Sequence, residues 1–167
     1  MPITVRPATT NDIPALMALL VQVNMVHHNG RPDLFKGPTT KYTEAELAAI
    51  LADPTTPVFV GVDGADRVLG HGFCVMQHSG GRLMEAHDTL YIDDICVAER
   101  YRRHGIATAL FERCIMQARE AGCRNIELGV YCFNGDAVAF YGAMGMLPVM
   151  QRMELRLEET ESCPKNL

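Results

Sequence analysis

The chain has no tryptophan, only two serines (Ser79 and Ser162), and no apolar run near the ~20 residues that a membrane-spanning helix needs. With so little serine and no G-x-S-x-G, a serine hydrolase has no support. Positive charge is not in excess. Fifteen Lys+Arg against 20 Asp+Glu leave −5, and a pI near 5.6 speaks against a nucleic-acid binder acting through bulk charge. H-E-x-x-H and Cys/His clusters at zinc spacing are missing, and the adjacent His27 and His28 would point ~100° apart on a helix, so no metal is expected. The six cysteines (Cys74, Cys96, Cys114, Cys123, Cys132 and Cys163) include no C-x-x-C pair. Several fall in apolar runs and read as buried, reduced thiols. The opening Met1-Pro2-Ile3-Thr4-Val5-Arg6 lacks the basic-then-apolar order of a signal peptide, so the expected location is cytoplasmic, with no membrane and no nucleic-acid partner.

What is present suits one folded domain. A length of 167 residues, 48% hydrophobic and 21% charged, can bury most of its apolar surface without a disulfide or metal. The expected domain is residues 1–157, followed by an acidic, frayed tail over 158–167. Residues 3–7 read as a strand. A helix follows, capped from Thr9, Thr10 or Asn11, with Ile13, Leu16, Met17, Leu20 and Val23 at helical spacing, and it fades near Gly30. Residues 29–42 read as a loop rich in glycine and proline. Thr43 with Glu46 predicts a capping box and a short helix over 44–52, stopped by Asp53-Pro54. Three strands, 58–62, about 68–77 and about 87–97, form an antiparallel meander. The stripe Ile106, Leu110, Phe111, Cys114, Ile115 and Ala118 predicts a helix over 105–121, with Gly122 at its end. A strand over 125–130, parallel to 87–97, a helix over 135–144 and a last strand over 147–157 complete the pattern. The fold class is α+β (α/β/α layered), a mixed and mostly antiparallel sheet with helices on both faces.

The most informative stretch is Tyr91-Ile92-Asp93-Asp94-Ile95-Cys96-Val97, followed by Ala98-Glu99-Arg100-Tyr101 and then Arg102-Arg103-His104-Gly105-Ile106-Ala107-Thr108. A strand runs through a basic loop directly into a helix, whose first N–H groups lack intrahelical partners and carry the positive end of the helix dipole. Gly105 lets an anion reach that backbone, and Ala107 keeps the next turn low; such a place holds phosphate or pyrophosphate. Between Glu99 and Arg124, six arginines face three acids, a local balance of +3 in a chain of −5. An exposed loop of ordinary solvated arginines is the other reading of this pattern.

This segment resembles the acyl-CoA-binding motif [R/Q]-x-x-G-x-[G/A] of the GNAT superfamily of N-acetyltransferases. Asn134, Phe140-Tyr141 and Gly145 stand where that family has its second conserved element, and Val5-Arg6-Pro7-Ala8-Thr9 with Asp12 resembles a common family opening. The resemblance covers about residues 3–157. Within the family, Tyr91 to Val97 is most similar to the strand Y-L-E-D-F-F-V of diamine acetyltransferases. Asp93 replaces Glu there, Arg103 stands where Gly is common, and His27 falls near a substrate-binding acid of that group.

The resemblance implies a central pair of parallel strands that splay apart around acetyl-CoA, the acetyl donor. Backbone groups of Ile95 and Val97 would pair with the donor's pantetheine arm like an added strand, with Cys96 beside the acyl group; Arg103, His104, Gly105, Ile106, Ala107 and Thr108 would wrap its pyrophosphate, with Arg102 nearby. Asn134, Ala137 and Tyr141 would meet it from across the cleft, although Asn134 also reads as a plain helix cap. Tyr141 would be the general acid for the leaving thiolate, and Asp93 the base for the amine, since an alkyl ammonium of pKa about 10.4 must lose a proton. Tyr141 read by itself is a core tyrosine. Asp93, Asp94 and His27 would meet the substrate. Strand alternation puts Tyr91, Asp93, Ile95 and Val97 on one face and Asp94 with Cys96 on the other, unless a bulge intervenes. Loop 29–42 and turn 79–86 would shape the acceptor pocket. The implied activity is acetyl transfer to a primary amine of a small molecule. Peptide or protein N-termini are the in-class alternative, and a non-catalytic acyl-CoA sensor is a second. A homodimer is what many relatives form.

Overall fold

A computed structural model of the chain describes residues 2–157. The tail 158–167, with Cys163, lies outside the described residues. The elements run β1 (Thr4–Pro7), α1 (Ile13–Gly30), α2 (Glu44–Ala52), β2 (Val58–Val62), β3 (Val68–Ser79), β4 (His87–Val97), α3 (Ile106–Glu120), β5 (Asn125–Leu128) and α4 (Gly135–Ala143). The five strands lie in chain order. β1 to β4 are antiparallel neighbours, and β4 pairs with β5 in parallel. The meander, the crossover and helices on both faces are as the patterns predict. No helix among the described residues is long and apolar enough to cross a membrane.

Local chemistry explains the boundaries. The Thr43 hydroxyl accepts from the Glu46 N–H, and the Glu46 carboxylate accepts from the Thr43 N–H at 2.7 Å, so the predicted capping box starts α2. Gly122 (φ +70°) and Gly145 (φ +88°) end α3 and α4 in the left-handed region that glycine enters without strain. Arg6 holds Asp12 through two hydrogen bonds of 2.8 and 2.9 Å, which pins β1 to the turn that opens α1.

The sheet is buried on both sides, so all five residues of β2 are inaccessible to water. Leu16, Leu20 and Leu47 of α1 and α2 pack on Val58, Val60 and Phe73. On the other face Ile106, Leu110, Phe111 and Cys114 of α3 pack on Phe59, Leu90 and Ile92.

One predicted element is not formed. Residues 147–157 adopt no regular structure, and the backbone from 147 to 155 pairs with no strand among the described residues. The alternation is present, but no strand among the described residues pairs with 147–155, and alternation alone does not make a strand.

Candidate active site

β4 is the element on which the site is built. Its first half is paired on both sides. Thr89 to Ile92 run beside Asn125 to Leu128 of β5, and the Thr89 hydroxyl donates to Asn125 Oδ1 at 2.8 Å as a clamp. Beyond Ile92 and Leu128 the parallel pairing stops, while β4 continues to Val97 against β3 alone. The sheet therefore opens along Asp93–Val97. Ala98 N–H donates to Leu69 O in β3, so by alternation the N–H groups of Ile95 and Val97 face the opening.

A β-bulge sits at the head of this opening. Phe73 pairs with Asp94 and Cys74 with Ile92, so Asp93 is the extra residue of β4. The bulge corrects the simple alternation. Asp93 does not share a face with Ile95 and Val97. It meets Tyr42, which packs in the α1–α2 layer, and Asp94 meets His71 beneath that layer, so the two carboxylates are neighbours on one side. Ile92, Ile95 and Val97 turn to the α3 side.

Each carboxylate has partners that local sequence did not reveal. The Asp93 carboxylate accepts from Lys41 Nζ at 2.5 Å and from the Tyr42 hydroxyl at 3.3 Å. Asp93 raises the Lys41 pKa against the lowering effect of burial, and burial with the Asp93 charge raises that of Tyr42. Asp94 accepts from Nε2 of the fully buried His71 at 3.3 Å, and His71 Nδ1 has no partner among the described residues. Loop 29–42 thus does reach the carboxylates, through its end at Lys41 and Tyr42. The 79–86 turn does not border the opening. It joins β3 to β4 at His87, roughly 20 Å along the strand from Asp93.

Tyr141, on α4, packs its ring against Phe111 and Phe140 at centroid distances of 6.1 and 5.2 Å. Its hydroxyl donates to no described residue. Burial, with the Asp94 charge nearby, pushes its pKa above the ordinary 10.0, so it stays protonated at neutral pH. Asn134 caps α4: its Oδ1 accepts from the Ala137 N–H at 3.3 Å. The capping reading is therefore correct, yet it uses only the oxygen. The Nδ2 donors have no partner among the described residues.

At the far end of the opening, Arg102, Arg103, His104 and Gly105 are exposed. Arg103 (φ +64°) and Gly105 (φ +82°) turn the chain into α3, and no side chain caps that helix. Nothing lies within 4 Å of where a Cβ on Gly105 would stand, and α3 begins there without a side-chain cap, a helix start suited to a pyrophosphate. Val97 O accepts from Gln22 Nε2 at 2.9 Å and from Arg102 Nε at 3.5 Å. Gln22 was unmarked in the sequence, being one of several polar positions on α1.

Two predicted residues are placed elsewhere. The Cys96 side chain lies beneath α1, where its Sγ accepts from Gln22 Nε2 at 3.2 Å. Burial and the Asp94 charge push its pKa up to about 12, so it is a poor nucleophile. His27 stands in an aromatic cluster, 5.0 Å from the Phe35 ring and 5.8 Å from Tyr131, rather than with the carboxylates. No group of three His, Cys, Asp or Glu side chains able to hold a metal is found among the described residues.

Comparison with known proteins agrees with this geometry. The Acetyltransferase (GNAT) family model matches residues 24–146. A tetramutant of BH1408 protein from Bacillus halodurans is 30% identical and superposes with a TM-score of 0.88 over 92% of this chain and 99% of that one. An aminoglycoside acetyltransferase from an uncultured soil metagenomic sample, meta-AAC0020, is 16% identical with a TM-score of 0.70 over 92% of this chain and 94% of that one, a likeness of fold. N-alpha-acetyltransferase MAK3 from Arabidopsis thaliana is 37% identical over 57 residues, 34% of this chain and 30% of that protein. An opened parallel strand pair, an uncapped helix start at its mouth and a family match over 24–146 lead to one statement: the chain belongs to the GNAT acetyltransferase family and is an acyltransferase.

Proposed function

We propose that this acetyltransferase moves an acetyl group from acetyl-CoA to a primary amine of a small molecule, by direct attack in a ternary complex. One observation carries the reading. The sheet opens at Asp93, with two carboxylates on one side, Tyr141 on the other and the α3 cradle at its mouth. The left-handed turns at Arg103 and Gly105 and the open space at Gly105 fit a pyrophosphate group.

In this reading Arg102, Arg103, His104 and the N–H groups from Gly105 to Thr108 hold the pyrophosphate. The backbone of Ile95 and Val97 adds the pantetheine arm as a strand would be added, and Asn134 Nδ2 with Ala137 forms the facing wall. The donor supplies an activated acyl carbonyl. The Val97 N–H points where that carbonyl oxygen gains charge. Asp93 attracts the acceptor ammonium and takes its proton. At pH 7 roughly one alkyl amine in a thousand is already neutral, so this removal matters. Asp93 must first part from Lys41, whose ammonium stands where an acceptor ammonium would stand. Tyr141 gives its proton to the departing sulfur. The raised pKa keeps that proton available, and a thiolate leaving into the same dry cleft is itself made more basic by desolvation.

A second reading, transfer to a peptide N-terminus, is favoured by the similarity to the N-alpha-acetyltransferase over 57 residues. Free-thiol release from acetyl-CoA, against a panel of small amines and N-terminal peptides, decides between them. Turnover with small amines, lost in Tyr141→Phe with donor affinity kept, is the expected result. Turnover with peptides alone selects the second reading. Full turnover by Tyr141→Phe overturns the role of the phenol.

A further inference from the structure

Lysine is scarce in this chain. Of its 15 basic side chains only three are lysines, Lys36, Lys41 and Lys165. Lys165 lies outside the described residues, and Lys36 is exposed on loop 29–42. Lys41 instead stands at the head of the opening, its Nζ 2.5 Å from Asp93 Oδ2 and 5.2 Å from the centre of the Tyr42 ring. Its side chain is 43% exposed, so another molecule can still reach the ammonium.

The neighbours of Lys41 fix its backbone and leave its side chain free to move. Tyr42 packs with the α1–α2 core, 6.1 Å from the Phe73 ring, and Thr43 caps α2. The Tyr42 hydroxyl donates to the same Asp93 oxygen at 3.3 Å. A lysine stem is flexible, so Nζ can leave Asp93 and swing along the opening while the backbone stays. An arginine here would remain protonated, whereas an ammonium can lose a proton and become a nucleophile. A primary amine resting on the carboxylate is, in its chemistry, an acceptor already bound. Being tied to the site, it has an effective concentration far above that of a diffusing amine.

Given the acetyl-CoA transfer proposed above, on which this rests, we infer that Lys41 is itself an acetyl acceptor, modified once by the chain's own site. Asp93 takes one proton from the Lys41 ammonium, and the freed Nζ lone pair attacks the acetyl carbonyl. The N–C bond forms, the C–S bond breaks, and the departing sulfur takes the Tyr141 proton. The second proton that the nitrogen sheds on becoming an amide replaces the one Tyr141 gave, and Asp93 releases its own to water. The products are an acetylated Lys41, the free CoA thiol and one proton. The amide carries no charge and cannot pair with Asp93, so the reaction ends after one turnover and leaves the carboxylate to a diffusing amine.

The test incubates the full chain with acetyl-CoA and no other amine, and reads each lysine by peptide mass spectrometry. One acetyl group on Lys41 is expected, with an initial rate about 100-fold or more above that of Lys36, whose exposed ammonium reports chemical acetylation. At saturating donor the rate per chain should not change on about tenfold dilution, because amine and site belong to one molecule. Tyr141→Phe should slow modification of Lys41 about 10²- to 10⁴-fold and leave that of Lys36 unchanged. Wild type without added amine should release one thiol per chain and stop, and Lys41→Arg should release none. Lys41 modified no faster than Lys36, or at a rate per chain that falls on dilution, overturns the inference. Small amines are assayed in parallel. Their turnover beside an unmodified Lys41 overturns the inference and leaves the transfer reading standing. A modified Lys41 with no small amine turned over supports the inference and removes the small amine as acceptor.

Discussion

The two halves of β4 make the clearest contrast in the molecule. From Thr89 to Ile92 the strand has a neighbour on each side, and Thr89 is buried against Asn125. From Asp93 to Val97 it has one neighbour, a bulge, and two carboxylates held by side chains from other elements. The first half is scaffold and the second is the candidate site. Lost pairing is what makes the difference, because an unpaired edge inside a folded sheet offers backbone donors and acceptors at fixed positions. A site that begins where pairing ends is rigid on one flank and open on the other, which suits the positioning of a long donor beside a reactive amine.

The contrast can be broken at several points. The largest effect is expected on the open half. Tyr141→Phe should lower kcat about 10²- to 10⁴-fold, the range of a lost general acid, while calorimetry finds donor affinity unchanged. The raised Tyr141 pKa also fixes a sign. The phenol keeps its proton as pH rises past the ordinary 10.0, so the wild-type pH–kcat profile should have no descending limb from Tyr141 below that pH. On the closed half, Thr89→Val leaves half-buried Asn125 Oδ1 without its Thr89 donor. Urea denaturation should show a loss of about 0.5–1.5 kcal/mol, with donor KM little changed.

Smaller effects sharpen the same division. Gly105→Ala forces an alanine into φ +82°, which should cost about 1 kcal/mol of stability. Its methyl group also enters the open space at the α3 start, so donor KM should rise and the salt dependence of donor binding should change. Lys41→Ala should have the least effect. The ion pair with Asp93 is partly exposed and worth ~0.2–1 kcal/mol, so the acceptor KM should fall about 2- to 5-fold in steady-state assays with kcat held.

Much of the fold was legible because it is written in local chemistry. Thr43 with Glu46, Asn134 before α4, and Gly122 and Gly145 after their helices each act within four residues. The tight turn into α3 was legible for the same reason, since Gly105 enters the left-handed region itself. The partners of the carboxylates were not. Lys41 is 52 residues from Asp93, and His71 is 23 residues from Asp94. His71 showed no partner in the sequence because its partner comes from the next strand. The bulge at Asp93 was hidden because it belongs to the pairing of β4 with β3, not to β4 alone.

Residues 87–97 and 147–157 carry similar strand patterns, and only the first becomes a strand in this chain. The sequence by itself determined which segments have an apolar face, where helices begin and end, and where an anion can approach the backbone. All of these depend on side chains within a turn of one another. Tertiary structure alone decided where the parallel pairing of β4 ends, that both carboxylates share one side, and that residues 147–155 pair with no strand among the described residues. Those outcomes depend on which backbone arrives alongside, and hydrogen bonds between strands are satisfied only when it does.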